Sequence, residues 1–559
     1  MRKHLPALLL TTLIILFLIA NRGAYKGYFD EDTLDNLGLA RELSITDFTT
    51  GLLTPRFYPN NFRPVGHLYF RVLEQAAGLH FPPYIVSLHA LHLLSVCLIY
   101  WLLRRLGLEM FGACAGALFF AFDMAVFDVF WKPMYVFDLL CGLFCLASLL
   151  LYLNDRWVVS LLAFWLAYRA KEVAIMLPFV LMVYEYMPGK RQWRRLIPFL
   201  TISAWFGLQA LLTNQQRQND YTLHFDLTSI WKCVVFYSSQ IFLIPYLGLA
   251  ILLLFFWKDR RVLFGVWAFC LLLIPMLLLP GRLFSAYLYV PLIGLAIAFA
   301  ALAESRSPAI VALFFAVWLP WNYANLRWDR KAALAKADSN RAYVSSLAKF
   351  SREVPAADTF IYNGGPISAS GALGAIRVLY PGHAFRFGVM NDGDAGTALE
   401  SRSLAILNWD ATAQRLHPVV RTRDTPDVSY INMGSDTPVW QFDEGWYGAE
   451  GAFRWTKPAA RARLARPVGA TQFEMKVNVG PDYIERLKRS HIDVALNGTR
   501  IGEHDFTQSG WQTVSWQVPP GPAGPVAVSF LVSPPYAGDR PLGLAIGGFG
   551  FVTKAQEHR

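Results

Sequence analysis

The sequence predicts an α-helical polytopic membrane protein of about eleven spans that carries an exported α/β region and a β-sandwich of jelly-roll type. Three observations predict this fold class. The 559 residues are 55% hydrophobic and only 16% charged, which excludes an ordinary soluble globule. Long apolar stretches recur through residues 1–324. Near residue 330 they give way to short alternating stretches separated by turn residues.

The membrane region is counted in segments of about 20 apolar residues, with shorter segments tolerated inside a bundle. The first segment has a basic start but no clear small-residue cleavage site, so we interpret it as a retained span. The predicted spans are 5–21, 84–103, 110–128, 135–153, 157–169, 173–187, 196–213, 230–256, 262–279, 286–303 and 308–324.

Basic loops predict the orientation of these spans. Arg104-Arg105, residues 190–195 and residues 258–261 fall on the side of the N-terminus, which the positive-inside rule makes cytoplasmic. An odd number of spans then places the 22–83 loop and everything after about residue 325 on the other face of the cytoplasmic (inner) membrane. The net charge of +11 is therefore interpreted as topological, with membrane lipids and no nucleic acid as partners.

The exported tail is predicted to contain a small α/β region over residues 325–439. A helix-like stretch, 342–353, precedes short strands at 359–362 and 403–407.

Residues 440–559 are predicted to form an antiparallel sandwich, because short strands alternate with turn residues that are often Pro or Gly. Asn497-Gly498 is predicted to be a tight hairpin turn, since both residues tolerate positive φ. The predicted strands are 473–477, 491–496, 513–518 and 526–532.

Acidic residues gather directly after the first span, in Phe29-Asp30-Glu31-Asp32 and in Asp35-Asn36. A carboxylate at the membrane surface, beside a cavity partly shielded from water, can have a raised pKa and can act as a base toward an acceptor hydroxyl. The alternative is an ordinary helix start, with Asp32 as N-cap and Asp35 in the first turn.

Cations lie at the same predicted face. Lys171-Glu172 stands between two apolar segments, where an ammonium could bind a phosphate or could belong to an ordinary snorkelling pair. Arg63 and Arg282 are further exported cations, so an anion site that faces the acidic loop is a hypothesis. Other charges bracket a further outer turn: Asp128, Lys132 and Asp138.

The six cysteines all lie in predicted spans or at their edges. The sequence therefore predicts neither a disulfide framework in the tail nor a zinc site. No metal-ligand set is recognisable, no cofactor is predicted, and metal dependence stays open.

Five short motifs at the exported side, in a consistent order, resemble the membrane region of GT-C glycosyltransferases. The resemblance covers roughly residues 1–324 and is greatest to the protein O-mannosyltransferases and their relatives with tetratricopeptide repeats. No such repeat array follows the spans here. The motifs are Phe29-Asp30-Glu31, Phe62-Arg63-Pro64, Asp138, Ala170-Lys171-Glu172 with Pro178, and Tyr287-Leu288-Tyr289-Val290-Pro291 with Gly294.

The resemblance implies an enzyme that moves a sugar from a polyprenyl-phosphate donor to a glycan, lipid or protein acceptor on the outer face, commonly with inversion. It implies that Asp30 is the general base, with Glu31 as its neighbour. It also implies that Lys171 holds the departing lipid phosphate with Arg63 or Arg282, since preplaced cations stabilise a leaving group that gains negative charge. The implied supporting residues are Glu172, Asp138 and Tyr287.

Two other classes remain open, a lipid or glycan transporter and a non-catalytic sugar-binding scaffold. Transporters often carry ionisable residues near mid-membrane and internal inverted repeats, and the sequence shows no clear sign of either. Charges gather instead at the outer ends of spans, which favours chemistry at the membrane surface.

The end of the tail is similar to β-sandwich modules appended to bacterial sugar-transfer enzymes. The similarity lies in Gly445-Trp446-Tyr447, Glu450, Arg454-Trp455 and residues 542–546. The aromatic side chains either stack on sugar faces or form the sandwich core.

Overall fold

The structure is a computed structural model that describes residues 5–58, 62–214, 219–354, 357–390, 403–422, 425–434, 437–450, 452–537 and 540–552. The chain divides into two compact units, Met1–Asp338 and Ser339–Arg559. This division differs from the predicted boundary near residue 325, because a helix that begins at Arg327 continues without a break to Glu353.

The first unit is helical, as predicted. Its helices are α1 (Leu5–Ala20), α2 (Glu31–Glu42), α3 (Ile45–Leu53), α4 (Pro64–Ala77), α5 (Pro82–Arg105), α6 (Met110–Phe122), α7 (Asp128–Trp131), α8 (Val136–Leu153), α9 (Trp157–Ala170), α10 (Leu177–Tyr186), α11 (Ile197–Asn214), α12 (Leu227–Ile241), α13 (Arg260–Leu277), α14 (Leu292–Glu304) and α15 (Pro308–Asn325), followed by α16 (Arg327–Glu353), which continues into the second unit.

Several of these helices suit a membrane. Five helical segments in the described residues are long and apolar enough to cross one, by length and composition: Pro82–Arg105, Pro133–Leu153, Trp193–Asn214, Arg260–Leu277 and Pro308–Glu353. Shorter apolar helices of the first unit are Thr11–Ala20, Met110–Val126, Trp157–Ala170, Leu247–Phe256 and Leu292–Glu304. Large apolar side chains such as Leu162, Leu253 and Phe256 are exposed, as expected of surfaces that face lipid. The count of about eleven spans stays a prediction.

The predicted span 230–256 is interrupted. Helix α12 ends at Ile241, and a 3₁₀ helix begins at Leu247. Pro245 between them has no backbone N–H to donate, and Leu243 and Tyr246 adopt positive φ values of 53° and 62°. One continuous apolar run therefore forms two helical pieces.

Helices α13 and α14 approach closely through two glycines, Gly265 and Gly294. A Cβ atom at Gly294 would lie 2.2 Å from the backbone nitrogen of Phe269 and 2.6 Å from the carbonyl oxygen of Gly265. Small residues allow such backbone contact between apolar helices, where van der Waals packing supplies much of the association energy.

Gly294→Ala is therefore expected to lower the free energy of unfolding by about 1–3 kcal/mol, because the backbone of α13 must move to admit the methyl group. Thermal unfolding of the purified protein in detergent measures this. Gly207→Ala is the matched control, since nothing lies within 4 Å of a Cβ atom at that position in α11. Equal unfolding temperatures for the two variants would contradict the packing argument.

The second unit begins with a small α/β sheet, which confirms that part of the sequence prediction. Strand β1 is parallel to β2 and β3, and β4 is antiparallel to β3, giving the order β2-β1-β3-β4. The elements are β1 (Thr359–Asn363), α17 (Ala369–Leu379), β2 (Arg386–Val389), β3 (Ser403–Asp410) and β4 (Arg415–Thr422).

The rest of the second unit is built mainly of two antiparallel sheets around one apolar core, as predicted, and has a further two-stranded sheet, β14-β15. One sheet has the order β11-β10-β13-β8 and the other β12-β9-β16-β7-β6, with β5 added beside β16. The elements are β5 (Tyr430–Asn432), β6 (Trp446–Glu450), β7 (Phe453–Thr456), β8 (Ala459–Arg466), β9 (Gln472–Val479), α18 (Pro481–Leu487), β10 (Ser490–Leu496), β11 (Thr499–Phe506), β12 (Gly510–Gln517), β13 (Gly524–Ser533), β14 (Tyr536–Ala537), β15 (Pro541–Leu542) and β16 (Ala545–Val552).

Two details of this sandwich bear on the sequence predictions. Asn497 and Gly498 join β10 to β11 with φ values of 48° and 82°, which confirms the tight turn. Strand β5 belongs to the sandwich through its pairing with β16, although the sequence placed residues 430–432 in the α/β region. The local sequence pattern could not predict this pairing, because the partner strand lies more than 110 residues further along the chain.

The aromatic residues at the start of the sandwich are half-buried and pack against its core. Trp446 stacks on Phe442 at 4.4 Å between ring centroids, and its indole nitrogen donates to the carbonyl oxygen of Arg461 at 2.7 Å. Trp455 stacks on Tyr483 at 6.2 Å. These contacts hold the two rings against the core, and stacking on a sugar face stays a prediction.

Candidate functional site

A polar cavity of about 200 Å³ lies in the first unit. Its walls come from α2, α4, the start of α8, the connection after α9 and the segments around residues 221 and 282–287. Three carboxylates and three cations line it, so opposite charges are balanced within one space. These charged residues are Asp32, Asp35, Arg63, Asp138, Lys171 and Arg282.

The centre of the cavity is a buried ion pair between Lys171 and Asp138. Both carboxylate oxygens of Asp138 accept from the Lys171 ammonium at 2.7 Å, and both side chains are less than 10% exposed. Lys171 ends α9 in an extended conformation, and Asp138 lies in the first turn of α8. The alternative of a snorkelling pair between Lys171 and its neighbour Glu172 is therefore wrong, because each side chain has another partner.

Glu172 pairs instead with Arg63. The guanidinium donates to both carboxylate oxygens, with Nε at 3.0 and 3.1 Å and Nη2 at 3.0 Å. Burial lowers the pKa of Arg63, but the Glu172 carboxylate outweighs burial and the pKa is raised. Burial likewise raises the pKa of Glu172, and the facing Arg63 charge outweighs it and lowers the pKa. Both groups are therefore charged at neutral pH.

The second ion pair depends on a close approach of α4 to α8. Pro64 starts α4 directly after Arg63, and Gly66 follows. A Cβ atom at Gly66 would lie 2.1 Å from Cδ1 of Phe137, the residue before Asp138. The absence of a side chain at Gly66 thus lets the Arg63 guanidinium pack over the Phe137 ring at 5.3 Å.

Arg282 differs from the other two cavity cations. Its Nη2 donates to the Tyr287 hydroxyl at 3.2 Å, and its guanidinium lies 4.6 Å from the centroid of the Tyr221 ring. Within the part of the chain that the structure describes, no carboxylate lies within ion-pair distance of Arg282. Tyr287 also packs beneath the Lys171 ammonium, 4.0 Å from its ring centroid, so this ring connects the two cations.

Because Arg282 has no ion-pair partner there, we expect Arg282→Gln to weaken the binding of a phosphate anion to the cavity by about tenfold to a hundredfold, the value of one hydrogen bond to a charged group. Equilibrium binding of inorganic phosphate to the purified protein measures this. Arg306→Gln is the matched control, an arginine that lies over the Trp257 ring outside the cavity. A phosphate affinity that is the same in both variants would remove Arg282 from the site.

Asp30 and Glu31 do not line the cavity. Asp30 is the N-cap of α2, where its carboxylate accepts from the backbone nitrogen of Thr33 at 2.8 Å and from the Thr33 hydroxyl at 2.5 Å. Burial raises the pKa of Asp30, although the two Thr33 hydrogen bonds and the charge of Lys132 oppose the shift. Glu31 forms an ion pair with Lys336 at 3.1 Å.

The helix start also corrects one sequence expectation. Asp30, rather than Asp32, caps α2, so Asp32 lies in the first turn and Asp35 in the next. The cap falls two residues earlier because Thr33 supplies both donors to Asp30. This register brings Asp32 and Asp35 into the cavity lining.

His67, which the sequence pattern did not single out, also lines the cavity. Burial lowers the pKa of His67 to about 4, so the imidazole is neutral at pH 7. Its Nδ1 lies 3.1 Å from the backbone nitrogen and 2.9 Å from the carbonyl oxygen of Arg63, and this contact holds the first turn of α4. The sequence gives one indication that His67 belongs to the site, namely its position four residues after Arg63.

The described residues contain one group of three side chains that could hold a metal ion, outside this cavity. His491, Asp493 and Glu503 offer ligand atoms within 4.8 Å of one another on the β10-β11 hairpin. The Arg500 guanidinium already contacts the carboxylates of Asp493 and Glu503. The cluster is therefore balanced by a protein cation, and we assign no metal to it.

No family model and no curated protein matches this chain. Two matching solved structures are cryo-electron microscopy classes of a mutant arabinofuranosyltransferase AftD from Mycobacteria. The first has a TM-score of 0.40 at 10% identity and covers 97% of this chain and 61% of that one. The second has a TM-score of 0.39 at 10% identity, with coverages of 96% and 60%. The chain thus spans about three fifths of the length of those structures.

Proposed function

We propose that this chain is a GT-C-type glycosyltransferase of the cytoplasmic membrane. It transfers a sugar from a polyprenyl-phosphate donor to a hydroxyl of a glycan, lipid or protein acceptor at the extracytoplasmic face, with inversion. The observation that supports this most is the single cavity in which the carboxylates of Asp32 and Asp35 meet the cations Lys171 and Arg282. Such a site can accept a proton and stabilise a leaving phosphate within one small space.

The proposed reaction is a direct displacement. The acceptor oxygen forms a bond to the anomeric carbon as its proton passes to a carboxylate, and the bond from that carbon to the phosphate oxygen breaks. The phosphate leaves with one more negative charge, so fixed cations near it stabilise the transition state more than the ground state.

The cations have different proposed roles. Arg282 contacts the phosphate, because the structure gives it no carboxylate partner among the described residues. Lys171 and Arg63 are held in ion pairs with Asp138 and Glu172. They fix the cavity walls and add positive charge near the phosphate, rather than serving as vacant anion sites.

Asp30 is the proposed general base, supported by its raised pKa and by its place beside the cavity at the start of α2. Asp32 is the competing candidate, because it lines the cavity directly. Glu31 is held by Lys336 and is proposed to shape the acidic loop.

The test of this function is transfer from radiolabelled polyprenyl-phosphate sugars by the purified protein, across a panel of donors and acceptors. The expected result is labelled product that requires the protein and that is lost in Lys171→Ala. Donor binding without any transfer across the whole panel would contradict the proposed enzymatic function. That outcome would favour a transporter or a sugar-binding scaffold. Uptake of the same donors into liposomes would then distinguish a transporter, which moves them, from a scaffold, which does not.

A further inference from the structure

A second cavity, of about 690 Å³, lies elsewhere in the first unit. It is formed by the end of α1 with the turn after it and by the junction of α15 with α16. No acidic side chain belongs to its lining as the structure describes it, so the cavity is strongly cationic. The cations are Arg22, Lys26, Arg327, Arg330 and Lys331.

Arg330 is the buried member of this group, with 6% of its surface exposed. Its guanidinium lies 3.7 Å from the Tyr323 ring centroid, and Nη2 donates to the carbonyl oxygen of Tyr323. The other terminal nitrogen, Nη1, is buried without a hydrogen-bond partner. A buried charged donor without a partner is costly, so the geometry calls for an acceptor that the described chain does not supply.

The other cations of this cavity are exposed and surround the buried one. Arg22, Arg327 and Lys331 are exposed around Arg330. No carboxylate among the described residues lies within ion-pair distance of these four side chains, although Asp329 is adjacent in sequence.

Aromatic side chains complete the cavity. Trp131 lines it and is held by a hydrogen bond from its indole nitrogen to the Asn21 side-chain oxygen at 3.0 Å. Tyr323 lines the opposite side at the end of an apolar helix. Cations and amphipathic rings at helix ends are the residues that contact lipid headgroups at a membrane interface.

We propose that this cavity binds a phosphate group, with Arg330 as its buried anchor and Arg22, Arg327 and Lys331 as its rim. The phosphate belongs either to an anionic lipid headgroup or to a soluble phosphate. This site is separate from the cavity that contains Lys171 and Arg282, and it does not depend on the proposed transferase activity.

Native mass spectrometry of the full chain in detergent tests the proposal, with phosphatidylglycerol, phosphatidylcholine and inorganic phosphate as probes. The unmodified protein is expected to retain phosphatidylglycerol in preference to phosphatidylcholine. The variant Arg327→Gln/Lys331→Gln should weaken retention about thirtyfold, since each cation near an anionic lipid contributes roughly a factor of five. Arg330→Gln should abolish the preference, and Arg156→Gln, an exposed arginine outside this cavity, should leave it unchanged.

Competition with inorganic phosphate distinguishes the two sources of the bound phosphate group. Displacement of the lipid by millimolar inorganic phosphate assigns a soluble ligand, and resistance to displacement assigns a headgroup. Equal retention of the two lipids without an effect of inorganic phosphate would overturn the proposal, as would unchanged selectivity in the double variant. Because the double variant changes only exposed residues, it tests the site even if Arg330→Gln fails to fold.

Discussion

Lys171→Ala is expected to abolish sugar transfer and to lower the free energy of unfolding by about 3–5 kcal/mol, the cost of removing one partner from a buried ion pair. The Asp138 carboxylate, only 4% exposed, would remain without its partner at the centre of the cavity. Transfer from a radiolabelled donor and thermal unfolding in detergent measure the two effects.

The matched control is Lys190→Ala, which removes a lysine whose ion pair with Asp155 also spans 2.7 Å but is exposed. Its effect on the free energy of unfolding should stay within about 1 kcal/mol. The double variant Asp138→Asn/Lys171→Met should recover much of the stability without recovering transfer, because no buried charge remains. Equal stability of the Lys171 and Lys190 variants would contradict the burial argument.

Asp30→Asn is expected to lower kcat/KM for transfer by about 10²–10⁴, the usual contribution of a general base. Asparagine caps helices as well as aspartate does, so the hydrogen bond from the Thr33 backbone nitrogen to residue 30 is retained. Unfolding temperature and donor binding should therefore stay close to those of the unmodified protein. If transfer is lost while these two properties are unchanged, Asp30 acts as the base and not merely as a helix cap.

The pH profile gives an independent readout of the same group. Because burial raises the pKa of Asp30, the base becomes protonated at a higher pH than the ordinary aspartate value of 3.8. Transfer should therefore fall as the pH decreases through this raised pKa. Full activity in Asp30→Asn together with loss in Asp32→Asn would assign the base to Asp32.

Sequence pattern predicted the elements of this fold better than the contacts within its site. Apolar runs of membrane-spanning length became helices, and alternating runs such as residues 491–496 became strands. The break at Pro245 was visible in the sequence, but the strong apolar pattern on both sides favoured one span.

The partners of the site charges could not be predicted. Lys171 pairs across 33 residues with Asp138, and Arg63 pairs across 109 residues with Glu172, because helix packing decides which charges meet. The adjacent Lys171 and Glu172 point to different partners. Arg330 was missed for the same reason, since nothing in its local sequence distinguishes a buried arginine from the exposed Arg327 beside it.

The position of β16 has a consequence for biogenesis. This strand comes last among those described, yet it lies in the interior of its sheet, between β9 and β7, and also pairs with β5. Until synthesis reaches residue 552, β9 and β7 both present open edges. The sandwich therefore closes only after its last strand is made, and chains that stop before residue 545 should be targets for chaperones and proteases.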